Sequence, residues 1–150
     1  SLGLVGSEMC IRDRQAVGRR ALARLPDFLE ATRRQAQGFA ARLVPCSGLR
    51  VLGDRPGERG TWPVLVLVFD RARDAEAALA RLWREGLGVS RLFARALPDY
   101  AYLGGIVPDR PCPRARDFAA RSLSIGNSLF LRPEEQERIL SVLRGGAGSA

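Results

Sequence analysis

The run Val64-Leu65-Val66-Leu67-Val68-Phe69 constrains this chain more than any other stretch. It is continuously apolar, half valine, and bounded by Pro63 and Asp70, too short for a buried helix and rich in β-branched side chains. Such a run predicts a strand in the middle of a sheet. A central strand needs neighbours, and Leu49–Leu52 and Gly88–Phe93 read as two of them, with a short fourth at Ser122–Ile125. Gly53 to Gly60, dense in Gly and Pro, is a loop.

Helical patterns supply the cover. The period turns helical at Gln15, Pro26 suits the first turn of a second helix, and Pro45 stops the run. From about 26 to 43 the apolar positions Phe28, Leu29, Ala36, Phe39, Ala40 and Leu43 recur at helical spacing, opposite Arg33, Arg34 and Arg42. Asp74 opens a further helix with Ala75, Ala78, Leu79, Leu82 and Trp83 on one face, closed by Gly86. A short helix is expected near 114–121. Pro133 opens the last one, with Glu134 and Glu135 in its first turn and Ile139, Leu140 and Leu143 inward. This order predicts an α+β fold: a small, mainly antiparallel sheet of three or four strands, helices on one face, and a long amphipathic N-terminal helix. The irregular stretch 94–113, with Tyr100 and Tyr102, is long enough to suggest a functional loop.

Composition removes whole classes of chemistry. The 150 residues contain no His, and all 24 basic residues are Arg. A lysine imine, a Walker-type phosphate loop, a His-based triad and a His-ligated metal are therefore excluded within this chain. The formal charge of +8 raises nucleic acid as a partner, but the arginines are dispersed with no basic run, which argues against it. Complete replacement of Lys by Arg, with abundant Ala, Gly and Leu, reads instead as a coding bias. Cys10, Cys46 and Cys112 fit no ligand spacing and leave an odd thiol, so they read as inert thiols rather than a disulfide framework. No apolar run reaches the ~18 residues a membrane span needs, and no signal-peptide pattern opens the chain. A cytoplasmic protein is the expectation.

Residues 1–14, SLGLVGSEMCIRDR, read as translated sequencing adapter and are set aside as a non-native leader. The expected domain is 15–144, followed by a disordered tail at 145–150.

Three stretches then carry a family resemblance. Asp74 to Leu82 with Gly86-Leu87-Gly88-Val89-Ser90-Arg91-Leu92-Phe93 resembles a helix followed by an "L…GIG" turn and strand. Phe118 to Ile125 is similar to the segment before an "LxLP" signature, and Leu131 to Ile139 to a closing acidic helix. Together they resemble the C-terminal small domain of the DegT/DnrJ/StrS sugar aminotransferases, over roughly 15–144. The sequence departs from that pattern at Ile125-Gly126, where Leu-Pro is usual, and at Asn127-Ser128, where Thr-His is common; Arg95 to Tyr100 lacks a His often found in that loop.

The resemblance implies a pyridoxal-phosphate enzyme acting on nucleotide-linked keto-sugars with an amino donor, in polysaccharide or antibiotic-sugar pathways. It also implies a cofactor domain outside this chain and a homodimeric parent. The cofactor is held by a lysine amine, so the chain alone is expected to be inactive. Candidate substrate-binding residues are Arg91, Tyr100 and Asn127. Arg91 offers planar bidentate contacts to a phosphate or carboxylate, or else a surface ion pair. Tyr100 and Tyr102 stack on a sugar or nucleotide, or pack on their own domain. Asn127 touches ligand, or only serves a turn. Trp62 and Trp83 read as core residues. Gly86-x-Gly88 follows a helix, not a strand, so it is no dinucleotide fingerprint. The alternative to the transaminase small domain is a freestanding α+β binding or regulatory module, such as one for RNA.

Overall fold

The computed structural model describes residues 5–107 and 110–145, with side chains described from Arg14 onward. Helix α1 runs Val5–Leu43, strand β1 Leu49–Val51, β2 Val64–Phe69, helix α2 Ala72–Arg84, β3 Val89–Ser90, helix α3 Pro113–Arg121, β4 Ser122–Gly126 and helix α4 Pro133–Arg144. Single 3-10 turns at Leu97–Asp99 and Ala101–Leu103 punctuate the loop between β3 and α3.

The four strands form one antiparallel sheet in the order β1-β2-β4-β3. β2 and β3 are parallel and joined by α2, and β4 enters the gap between them as the antiparallel partner of both. The central position of the Val64–Phe69 run follows, with Leu65 opposite Ile125 and Leu67 opposite Leu123. Side chains alternate across a strand. Leu65, Leu67 and Phe69 therefore point with Leu123, Ile125 and Val89 into a core closed by Phe39 and Leu43 of α1, Leu79 and Leu82 of α2, and Ile139, Leu140 and Leu143 of α4. The other face of the sheet carries Val64, Val66 and Val68 beside Ser122 and Ser124.

Local chemistry sets the ends of these helices. Asp74 sits in the first turn of α2 and Arg81 and Arg84 in the last, both favourable for the helix dipole. Gly86, at φ 67, takes the left-handed conformation that ends it, and the Leu87 N–H reaches back to the Leu82 carbonyl at 2.9 Å. Pro133 occupies the first turn of α4, and the Glu135 carboxylate accepts the Arg132 backbone N–H at 2.9 Å.

Several expectations need correction. Pro26 does not open a helix; it lies inside α1, which begins at Val5 and so takes in ten residues read as patternless. Proline removes one i→i−4 bond at a cost of ~3 kcal/mol, but the strong helix formers on both sides carry the helix through. The carbonyl left over, that of Leu22, belongs to an exposed turn. The strand expected over 88–93 is only Val89–Ser90. Trp83 is 61% exposed rather than core, because its face of α2 turns outward and its indole N–H donates to the Val89 carbonyl at 2.9 Å. The apolar stripe of α1 divides: Phe39 and Leu43 belong to this chain's own core, at 2% and 0% exposure, while Phe28 is 52% exposed. Residues 146–150 of the expected tail lie outside the described residues.

Candidate functional site

The candidate residues fall at two ends of the sheet. β3 and β4 are antiparallel. Arg91, one residue past β3, therefore lies at the end where β4 starts, while Asn127 lies just past the end where β4 finishes. The structure brings Arg91 and the Tyr100 loop towards one end and Asn127 to the other.

At the Asn127 end, three remote segments are tied together. Asn127 is buried at 6% exposure, and its side-chain nitrogen donates to the carbonyls of Thr32 in α1 and Trp62 before β2, at 2.8 and 2.7 Å. Its side-chain oxygen accepts from the Gln35 amide at 3.1 Å, and the same amide reaches the Ser128 carbonyl at 2.7 Å. The Asn127 backbone N–H donates to the Pro63 carbonyl at 3.0 Å. Both donors and the acceptor of this side chain are thus engaged within the chain. Next to Thr32 on α1, Arg33 donates to the Gly60 carbonyl from two nitrogens, at 3.2 and 2.8 Å, and a third nitrogen meets Glu30 at 2.9 Å. Arg59 reaches the same carboxylate at 2.6 Å. These two guanidinium contacts, that of Arg59 foremost, hold the Glu30 carboxyl below its ordinary range against an opposing desolvation.

The loop between β1 and β2 is shaped by the same contacts. Asp54 accepts the Gly60 backbone N–H at 2.9 Å and the Trp62 indole N–H at 3.1 Å. Trp62 adopts φ 54, an unusual conformation for a bulky residue. The bonds from Asp54 and Asn127 on either side hold it there. A Cβ at Gly60 would stand 2.4 Å from a carboxylate oxygen of Asp54, so a larger residue there would have to displace that side chain. Trp62 also walls an apolar cavity of about 320 Å³ between the end of α1 and β1, lined by Ala40, Leu43, Val44, Leu49 and Val51 among others.

At the other end, ion pairs dominate. Arg91 pairs with Glu76 of α2. Tyr100 is half-buried and its ring centre lies 5.5 Å from that of Tyr102, which is exposed. Asp99, next to Tyr100, accepts from Arg116 of α3 at 2.8 Å, and that bond holds its carboxyl below the usual value. Phe93 and Phe118 approach to 6.4 Å between ring centres.

Sequence reading missed Trp62, Asp54, Arg33 and Gln35 as a connected group. The glycines and Trp-Pro of the loop marked a turn, but Gln35 and Asn127 are 92 positions apart and nothing local links them. Among the described residues, no three His, Cys, Asp or Glu side chains gather as a metal site, and no helix is long and apolar enough to cross a membrane. What the arrangement offers chemically is binding and orientation: fixed amides, guanidinium groups and aromatic surfaces.

No family model matches this sequence, and no curated protein matches it. Solved structures do. A DegT DnrJ EryC1 StrS aminotransferase from Brucella abortus superposes with a TM-score of 0.72 at 23% identity, over 87% of this chain and 34% of its own. DesI, solved in the presence of its TDP-sugar product, gives 0.74 at 20% identity over 85% of this chain and 33% of its own. The sugar aminotransferase CalS13 from Micromonospora echinospora gives 0.71 at 18% identity, over 87% and 34%. This chain spans about a third of the length of the structures it matches. Its fold is that of a portion of the DegT/DnrJ/EryC1/StrS sugar aminotransferases.

Proposed function

We propose that this chain is the C-terminal small domain of a pyridoxal-phosphate aminotransferase acting on nucleotide-linked keto-sugars. The observation that carries the reading is the shared fold over 85% of the chain with DesI, whose structure was solved with a TDP-sugar product. The DesV structure from S. venezuelae, with a ketimine intermediate, matches at a TM-score of 0.70 over 90% of the chain. The order of elements and the resemblance of the α2–β3 and α4 segments support the same assignment.

The cofactor does not fit this chain's own residues. Pyridoxal phosphate is held through a lysine amine, and the sequence contains none. Catalysis in this reading belongs to a cofactor domain encoded upstream, and the present residues shape the substrate side of the site. Arg91 and Tyr100 are the residues proposed to face substrate phosphate or sugar. Each has a partner to give up, Glu76 for Arg91 and the Tyr102 ring for Tyr100. Asn127 acts in this proposal by fixing the loop that ends at Trp62, because its amide is committed to Thr32, Gln35 and Trp62. The freestanding RNA-binding alternative lacks an observation in its favour: the aromatic residue of the central strand, Phe69, is buried in the core.

The test is the genomic reading frame upstream of Gln15. A lysine-bearing domain of ~200–250 residues continuous with this chain is the expected result, and such a domain joined to it should form the cofactor's visible chromophore where the chain alone does not. An initiator codon immediately before Gln15 would overturn the reading.

A further inference from the structure

The two edges of the sheet are finished differently. At one edge β3 is only two residues long, and the Trp83 indole N–H donates to the Val89 carbonyl at 2.9 Å, which leaves little backbone to offer. At the other edge, the β1–β2 ladder extends from the Asp70 N–H on the Gly48 carbonyl to the Leu52 N–H on the Val66 carbonyl, both at 2.9 Å. Arg50 stands opposite Val68 between them. Bonding alternates along an antiparallel strand. Gly48, Arg50 and Leu52 therefore turn their backbone groups to β2, and the N–H and C=O of Leu49 and Val51 point outward. Among the described residues, no hydrogen-bond partner meets any of these outward groups.

An apolar cavity lies beside that open edge. It holds about 320 Å³ between β1 and the C-terminal end of α1, walled by Ala40, Leu43, Leu49, Val51 and Trp62. Val44 lines it too and is 79% exposed. Side chains alternate along β1: Leu49 and Val51 pack toward the core, and Arg50 lies in the row of Val68 on the opposite face. Arg50 is exposed, with neither ion pair nor hydrogen bond from its side chain among the described residues.

We propose that β1 is the docking edge for an extended segment of another polypeptide, one that alternates apolar and acidic residues and joins the sheet as a further strand. The backbone of that segment bonds Leu49 and Val51, its apolar side chains enter the cavity beside Val44, and a carboxylate on the other face meets Arg50. The alternation follows from the pleat, since the two faces of a strand added here meet an apolar hollow and a guanidinium. The chain's charge of +8 favours an acidic segment over a basic one. This inference does not rest on the aminotransferase reading, and either can fail without the other.

A blocked peptide of about seven alternating valines and glutamates, long enough to pair along the β1 ladder, tests it by calorimetric titration into the whole chain. Amide hydrogen exchange locates the contact. Saturable binding with a Kd below about 1 mM is expected. At saturation the Leu49 and Val51 amides should slow at least about fivefold, while those of Arg50 and Leu52, already turned to β2, change little. Val51→Pro deletes an outward N–H without touching a ladder bond and should weaken binding about tenfold or more. Val44→Glu, which sets a charge in the apolar seat, should do the same. Arg50→Glu should weaken the glutamate peptide about threefold or more and favour its lysine counterpart. Circular dichroism checks folding, and if Val51→Pro unfolds the chain, the exposed Val44→Glu decides. No saturation by about 1 mM overturns the proposal. So does binding that a folded variant of Val51 or Val44 leaves unchanged, or protection that arises away from β1. Equal affinity of the unaltered chain for the glutamate and lysine peptides overturns the acidic partner. Leu49 and Val51 amides that are slow in the free chain and released on dilution would give the edge to a second copy, and overturn it as well.

Discussion

The two halves of α1 carry the same stripe on the same helix and meet opposite fates. From Thr32 to Leu43 the stripe closes the core; from Val17 to Phe28 it stands in solvent. Amphipathic period does not separate them, since it runs unbroken through both. The boundary is drawn by polar contacts at residues 30 to 35: Glu30 and Arg33 on the β1–β2 loop, and Thr32 and Gln35 on Asn127. An apolar stripe therefore tells where a helix is able to dock, while the strap of hydrogen bonds tells where this one does.

That contrast is broken most sharply by shortening the same aromatic on either side of the boundary. Phe39→Ala should destabilise the chain by ~3–5 kcal/mol, since it leaves a cavity among packed side chains. A loss under 1 kcal/mol in urea titration would show that α1 is not part of the core.

Asn127→Ala comes next, at ~1–3 kcal/mol, because the Thr32 and Trp62 carbonyls each lose a donor. Hydrogen exchange should accelerate around Trp62 and the Thr32 turn and stay unchanged in α4. Uniform acceleration would mean that Asn127 does not set the boundary. Phe28→Ala should cost less than about 1 kcal/mol, as expected for an exposed site. A cost equal to that of Phe39→Ala would erase the contrast between the halves.

The smallest effect is that of pH at the boundary. Glu30's folded carboxyl titrates below its unfolded value, because Arg59 and Arg33 donate to it. Its contribution is therefore present above the unfolded value of ~4.3 and is lost as pH falls through the lower folded value. Exchange at Gly60 and along the Glu30 turn should rise on acidification through that window, and Glu30→Gln should abolish the dependence.

Much of the fold was legible because it rests on patterns local in the chain. The Val64–Phe69 run announced a central strand, and the register with Leu123 and Ile125 places it there. Asp74, Gly86 and Pro133 marked helix ends through backbone chemistry that acts within one turn. Pro26 misled for the same reason, since its local penalty is outweighed only by the summed propensity of a long helix. Trp83 misled because helical spacing gives the width of an apolar face but not which edge of it meets the sheet.

The candidate site divides along the same line. The sequence by itself determined the central strand, the places of α2 and α4, the dispersed positive charge and the absence of any lysine amine, since these need only residue identities and short-range periods. Tertiary structure alone decided that Asn127 spends its amide on Thr32, Gln35 and Trp62, that Arg91 meets Glu76, and that half of an unbroken stripe stays in water. Those outcomes depend on which distant segments the whole fold brings to a given donor or apolar face, and contacts between segments far apart in the chain leave no mark in the local pattern.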